Sequence, residues 1–133
     1  MSQEFSYLSA QQRESLKDLP FSVMLPSQVP QGWTVASLDF DQDEDGASFA
    51  LGLTKGEARL NFLTTNDGIG DPPGGARTSR HPHQDLGEIT IEHEEDGEFL
   101  SDWMEVEGGW SALAGSGPSD SELDQFVQSL TVF

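Results

Sequence analysis

Pro20-Phe21-Ser22-Val23-Met24-Leu25-Pro26, then Val29-Pro30-Gln31-Gly32-Trp33 and Thr34-Val35-Ala36-Ser37-Leu38-Asp39-Phe40, is the stretch on which the fold turns. Phe21, Val23 and Leu25 recur at every second position, and a proline brackets each end of that run. Side chains two apart on an extended chain point the same way, so this predicts an entry segment with one buried face. Pro30 and Gly32 predict a turn that delivers Trp33 and the first regular strand.

The chain beyond this start reads as a sheet laid down in sequence. Residues 33–40 form a strand and residues 41–46 a turn. Residues 47–54 then alternate, with Phe49, Leu51 and Leu53 on one side and Ser48, Ala50 and Gly52 on the other. Lys55-Gly56 makes a tight connection into residues 58–64, whose core face carries Leu60 and Phe62. Residues 86–94 resume the alternation, with Ile89, Ile91 and His93 sharing a face. Glu95-Asp96-Gly97 turns the chain into residues 99–107, read as one strand with Phe99 and Trp103 on one side and Leu100, Met104 and Val106 on the other. Gly108-Gly109 turns it again into a short strand over 110–114. Two helices flank this pattern. Ser9 with Gln12 is a capping box for a short helix over 11–19, stopped by Pro20. Ser119 with Glu122 caps a second, in which Leu123, Phe126, Val127 and Leu130 fall at i, i+3, i+4 and i+7. The expectation is a single α+β domain over 1–133. It has a curved antiparallel sheet of about six strands, the C-terminal helix packed on one face, and a loose arm over 1–7. Residues 65–85 hold Gly68, Gly70, Gly74, Gly75, Pro72, Pro73 and Pro82, keep no period, and read as one long loop.

The opening Pro20-Phe21-x-Val23-x-Leu25-Pro26, with Val29-Pro30-x-Gly32-Trp33, resembles the start of a bacterial domain family of unknown function. The close, from Ser119 through Glu122-Leu123 to Ser129-Leu130, is similar to that family's capped helix ending in Ser-Leu. Members often form the extracytoplasmic C-terminal part of membrane-anchored proteins linked to sigma-factor control or sporulation. The resemblance implies an α+β domain with a packed helix, and it carries no catalytic residues with it.

The formal charge is -18, from 24 acidic and 6 basic residues, and no Lys or Arg follows Arg80. Such a surface repels nucleic acid and anionic membranes and attracts cations and basic partners. With no cysteine, disulfide and thiolate chemistry are excluded. No apolar run is long enough to span a bilayer, and the N-terminus does not read as a signal peptide. The expected location is cytoplasmic as written, or extracytoplasmic if an export segment has been removed.

Candidate chemistry is sparse. Asp41-Gln42-Asp43-Glu44-Asp45-Gly46 matches the start of a calcium loop, because alternate Asp side chains can wrap one cation. Gly52 stands where that motif needs a bidentate Glu, so Asp41, Asp43 and Asp45 also read as an acidic hairpin turn. His81 and His83, with His93, offer three imidazoles for zinc, with no accompanying zinc-protease helix. Arg77, Arg80, His81 and His83 read together as a binding loop, or as solvated side chains. Trp33, Trp103 and Trp110 with Phe49, Phe62 and Phe99 line either a ligand pocket or the core. Neither a phosphate loop nor a nucleophile elbow is present. The expected function is a non-catalytic binding or sensing module acting through protein–protein contact, with no cofactor beyond possible calcium. The alternatives are a carrier of a small apolar ligand, a weak calcium-binding domain, a metal-dependent enzyme, and an acidic decoy for nucleic acid.

Overall fold

The computed structural model describes residues 5, 7–42, 44, 46–66 and 77–133. Helix α1 spans Ala10–Lys17. The Ser9 hydroxyl accepts from the Gln12 backbone N–H at 3.1 Å, and the Gln12 side chain accepts from the Ser9 N–H at 2.8 Å. Two of the donors that every helix start leaves open are thereby satisfied. The chain then enters β1, Met24–Pro26, where Met24, Leu25 and Pro26 are all buried, so this strand is covered on both faces.

Among the described residues eight strands follow before the second helix: β2 Thr34–Gln42, β3 Ala47–Lys55, β4 Ala58–Thr65, β5 Arg77–His83, β6 Gly87–His93, β7 Glu98–Ser101, β8 Met104–Val106 and β9 Gly109–Ser116. Helix α2, Asp120–Ser129, and β10, Leu130–Val132, complete the chain. The strands β2 to β9 form one antiparallel sheet in the order β2-β3-β4-β9-β7-β6-β5, with β8 also paired to β9. Strand β10 pairs antiparallel with β1, joining Met24 to Val132 and Pro26 to Leu130 across almost the whole chain.

The α+β class agrees with the sequence reading, and the details differ. Among the described residues there are ten strands in two sheets in place of about six in one, and the large sheet is flat rather than curved. The expected strand over 99–107 is two strands. Phe99 and Ser101 are buried on β7, and Met104 and Val106 are buried on β8, so the inward parity shifts by one residue at Asp102-Trp103. The Ser101 hydroxyl bridges this break by accepting from the Leu113 N–H at 2.8 Å. The expected loop over 65–85 is also corrected: Thr65 ends β4 and residues 77–83 are strand β5 paired with β6, while residues 67–76 lie outside the described residues.

Turn chemistry follows the sequence. The β3–β4 hairpin joins Lys55 to Ala58 through Gly56-Glu57, with Gly56 at φ +61°, the glycine position of a tight II′ connection. Gly108, at φ +84°, has no room for a Cβ, which would lie 2.6 Å from the Pro20 carbonyl oxygen. The β8–β9 turn therefore seats against the start of the entry segment. One face of the sheet is buried through Phe49, Leu51, Leu53, Leu60, Phe62, Ile89, Ile91 and Leu113. Helix α2 covers it with Leu123, Phe126 and Val127, all essentially without exposure. Trp33 meets Phe126 edge-on at 5.2 Å, and Phe62 meets the same ring at 5.8 Å. These aromatics interlock as core.

Candidate functional site

All three histidines of the chain are buried beneath the C-terminal part of the fold. On β5 the inward residues are Ser79, His81 and His83; on β6 they are Ile89, Ile91 and His93. The period of two that places isoleucines inside therefore places imidazoles and a hydroxyl inside as well. Facing them on α2 are Asp120 and Asp124, one helical turn apart.

These groups form one hydrogen-bonded chain whose direction is fixed by its ends. The Arg77 guanidinium can only donate. It forks onto Asp120 at 2.8 and 3.1 Å, and its Nη2 lies 3.3 Å from His93 Nδ1. That nitrogen must accept, so the His93 proton sits on Nε2, which donates to Ser79 Oγ at 2.7 Å. With one lone pair so engaged, the Ser79 hydroxyl donates its own proton to His81 Nε2 at 2.8 Å. The His81 proton is then on Nδ1, where it donates to Asp124 Oδ1. Asp120, Arg77, His93, Ser79, His81 and Asp124 thus make a ring that leaves α2, crosses β5 and β6, and returns to α2. Among the described residues no buried side-chain nitrogen or oxygen lacks a partner.

Electrostatics agree with this direction. His93 is held below its ordinary range, first by burial and then by the Arg77 charge. Asp120 is held down chiefly by its hydrogen bond from Arg77. Glu122, in the same first turn, is also lowered, first by the Ser119 backbone N–H and then by Lys55, whose Nζ lies 3.0 Å away. The start of α2 is therefore tied to the sheet by two cations as well as by its apolar stripe. Both ion pairs are solvent-facing and individually weak.

His83 stands apart. Its Nε2 donates to the Leu130 carbonyl at 2.9 Å, and its Nδ1 accepts from the N–H groups of Asp85 and Leu86 at 3.0 and 3.1 Å. It ties the β5–β6 turn to the start of β10. The three histidines expected as a zinc set therefore do not converge, since His81 and His93 address Ser79 while His83 is occupied elsewhere. The binding loop expected from Arg77, Arg80, His81 and His83 is corrected likewise. His81 and His83 are buried strand residues, Arg77 is committed to Asp120, and Arg80 lies 3.8 Å from Glu88 across the strand pair.

Asp41 is exposed at the end of β2; Asp43 and Asp45 lie outside the described residues. Among the described residues, Glu94, Asp96 and Glu98 are the acids placed near enough to share a cation, and Asp96 already accepts from the Glu98 N–H at 3.0 Å. A groove of about 580 Å3 is lined by Phe5, Leu16, Leu19, Phe21, Val23 and Phe133 and not by the tryptophans.

Chemically, Ser79, His81 and Asp124 repeat the connectivity of a serine nucleophile, its base and the carboxylate that orients the base. The surroundings differ. Ser79 is 9% exposed, and its hydroxyl stands between two imidazoles, with its proton and a lone pair both in use. No protein-family model, curated protein or solved structure matches the chain.

Replacing Ser79 with Ala leaves two buried ring nitrogens without their shared partner. The expected loss is about 1–3 kcal/mol for each stranded group. Thr78→Ala, on the outward side of the same strand, is expected to change stability by no more than about 0.5 kcal/mol. Urea unfolding of the two variants checks the contrast.

Proposed function

We propose that this protein is a non-catalytic binding and sensing domain in which the docking of α2 responds to protonation. The observation that carries the reading is the directional chain from Arg77 through His93, Ser79 and His81 to Asp124. His93, Ser79 and His81 each donate once and accept once within it. An added proton on His93 Nδ1 would set an N–H against the Arg77 Nη2 N–H and remove that donor's acceptor, while the fork to Asp120 stays. The resemblance of the opening and closing segments to the bacterial family of unknown function belongs to the same proposal.

The groups facing His93 are Arg77, Ser79 and His81 from β5, Asp120 from α2, Glu92 from its own strand, and the Phe99 ring from β7. Burial and Arg77 outweigh the nearby carboxylates, so the folded protein holds this proton less well than the unfolded chain does. As pH falls below the ordinary histidine value of 6.5, the unfolded state takes up more protons. The stabilisation is therefore complete above that value and is lost as pH drops through the window between it and the lower folded value. The carboxylates of Asp120 and Glu122, both held down, stay ionised through this window.

A second reading, a carrier of a small apolar ligand, is favoured by the groove of about 580 Å3 beside α1, whose lining is mainly apolar. For a membrane role there is no support from helices: among the described residues none is long and apolar enough to cross a bilayer.

Two measurements test the proposal. In His93→Gln the amide supplies a donor and an acceptor without titrating. Wild type is expected to lose stability relative to this variant as pH falls below 6.5, with faster amide exchange in α2. Parallel pH curves for the two proteins would overturn the sensing role. A fluorophosphonate probe, which labels activated serines, is expected to leave Ser79 unmodified. Covalent labelling at Ser79 that disappears in His81→Gln would overturn the non-catalytic reading.

A further inference from the structure

Strand β2 ends the large sheet. It pairs with β3 on one side, and among the described residues no strand pairs with it on the other. Its nine residues leave a row of backbone donors and acceptors facing outward, about 30 Å long at strand geometry. The opposite edge, β5, is blunted in two ways that natural sheets use: it carries Pro82, which cannot donate, and the cations Arg77 and Arg80. Strand β2 has neither a proline nor a Lys or Arg. Its one irregularity is a register shift between Val35 and Ser37, and the pairing from Ser37 to Gln42 is unbroken.

The side chains on β2 present a two-sided pattern. Asp39 and Asp41 are exposed on the face away from α2, opposite Ala50 and Ser48. Leu38 and Phe40 lie on the other face, opposite Leu51 and Phe49. Phe40 rests on the Phe49 ring at 5.2 Å and is still 38% exposed, and among the described residues no strand pairs beside it on the edge side. A strand added here would place its residues directly opposite these. Carboxylates select Lys or Arg, and the Leu38–Phe40 shelf selects apolar side chains. The chain's charge of -18 acts in the same sense over longer range. A second copy of this protein is a poor occupant, since it would bring Asp39 and Asp41 against a like-charged edge.

We propose that β2 is a strand-addition site for an extended basic segment of a partner protein, one in which Lys or Arg alternates with apolar residues. Backbone pairing supplies the affinity, and the alternation of Asp39 and Asp41 with Leu38 and Phe40 supplies the selection. This goes beyond the protonation-linked docking of α2 and rests on different residues. Loss of the pH response in His93→Gln and loss of binding at β2 are separate outcomes.

The test uses an acetylated, amidated octapeptide of alternating lysine and valine, titrated into the 15N-labelled protein. Amide shifts are expected in β2 and in β3 behind it, and the affinity is expected to fall by about tenfold or more between about 50 mM and about 500 mM salt. Asp39→Lys with Asp41→Lys is expected to weaken binding by about tenfold or more, since two attractions become repulsions. Both positions are exposed, and the variant's own spectrum reports whether it has folded. A peptide N-methylated along one backbone edge is expected to lose binding, because strand addition needs those donors. Shifts scattered over the acidic surface, or equal binding of the methylated peptide, would overturn the proposal. So would concentration-dependent shifts in β2 without peptide, which would make a second copy the occupant.

Discussion

One serine hydroxyl decides how the C-terminal half of this protein is held. Ser79 carries a single proton and stands between two imidazoles, so it donates to one and accepts from the other. That choice propagates. The guanidinium at one end cannot accept and the carboxylate at the other cannot donate, and every proton between them is thereby placed. In a buried setting such a chain strengthens link by link, and an interruption costs more than one bond in water would. The interior of a small acidic protein is an expensive place for three polar side chains, Ser79, His81 and His93. They are tolerated because each is matched.

The topology explains why the chain spans these elements. Strand β5 is an edge, and the first turn of α2 is tied both to the β3–β4 hairpin at Lys55 and to β5 at Arg77. Apolar packing by Leu123, Phe126 and Val127 seats the middle of the helix over the sheet. It does not fix the helix against the outer strands, where the inward residues are Ser79, His81 and His83. Hydrogen bonds do that, through Asp120 and Asp124 on the helix and through His83 to the Leu130 carbonyl just beyond it. The β1–β10 pair then locks the exit of α2 onto the entry segment. Hydrophobic burial provides the docking, and the hydrogen-bonded chain provides its alignment.

Much of this was legible in the sequence. The alternation of Phe49, Leu51 and Leu53, the return through Leu60 and Phe62, the face shared by Ile89, Ile91 and His93, and both capping boxes all appear as read. Three features did not. Ser79, His81 and His83 carry a period of two, but a reading that takes polar as outward assigns them to solvent, and the glycines and prolines just before them hid the strand. The break between β7 and β8 shifts parity at Asp102-Trp103, where a side chain replaces a ladder bond and no turn residue marks the place. The β1–β10 pair is three residues long and joins distant parts of the chain, so no local pattern betrays it. For the site, the available signal was the coincidence of two inward-phased histidine positions with acids four apart on the predicted helix.

The most direct test of the account is the tautomeric state of each imidazole, read from long-range proton–nitrogen correlations of the histidine rings at a pH above the ordinary histidine range. The account predicts the proton on Nδ1 of His81 and on Nε2 of both His93 and His83, each ring held in a single form. His81 protonated on Nε2, or rings averaging between tautomers as they do in free solution, would contradict the directional chain and, with it, the reason for treating α2 as a proton-responsive element.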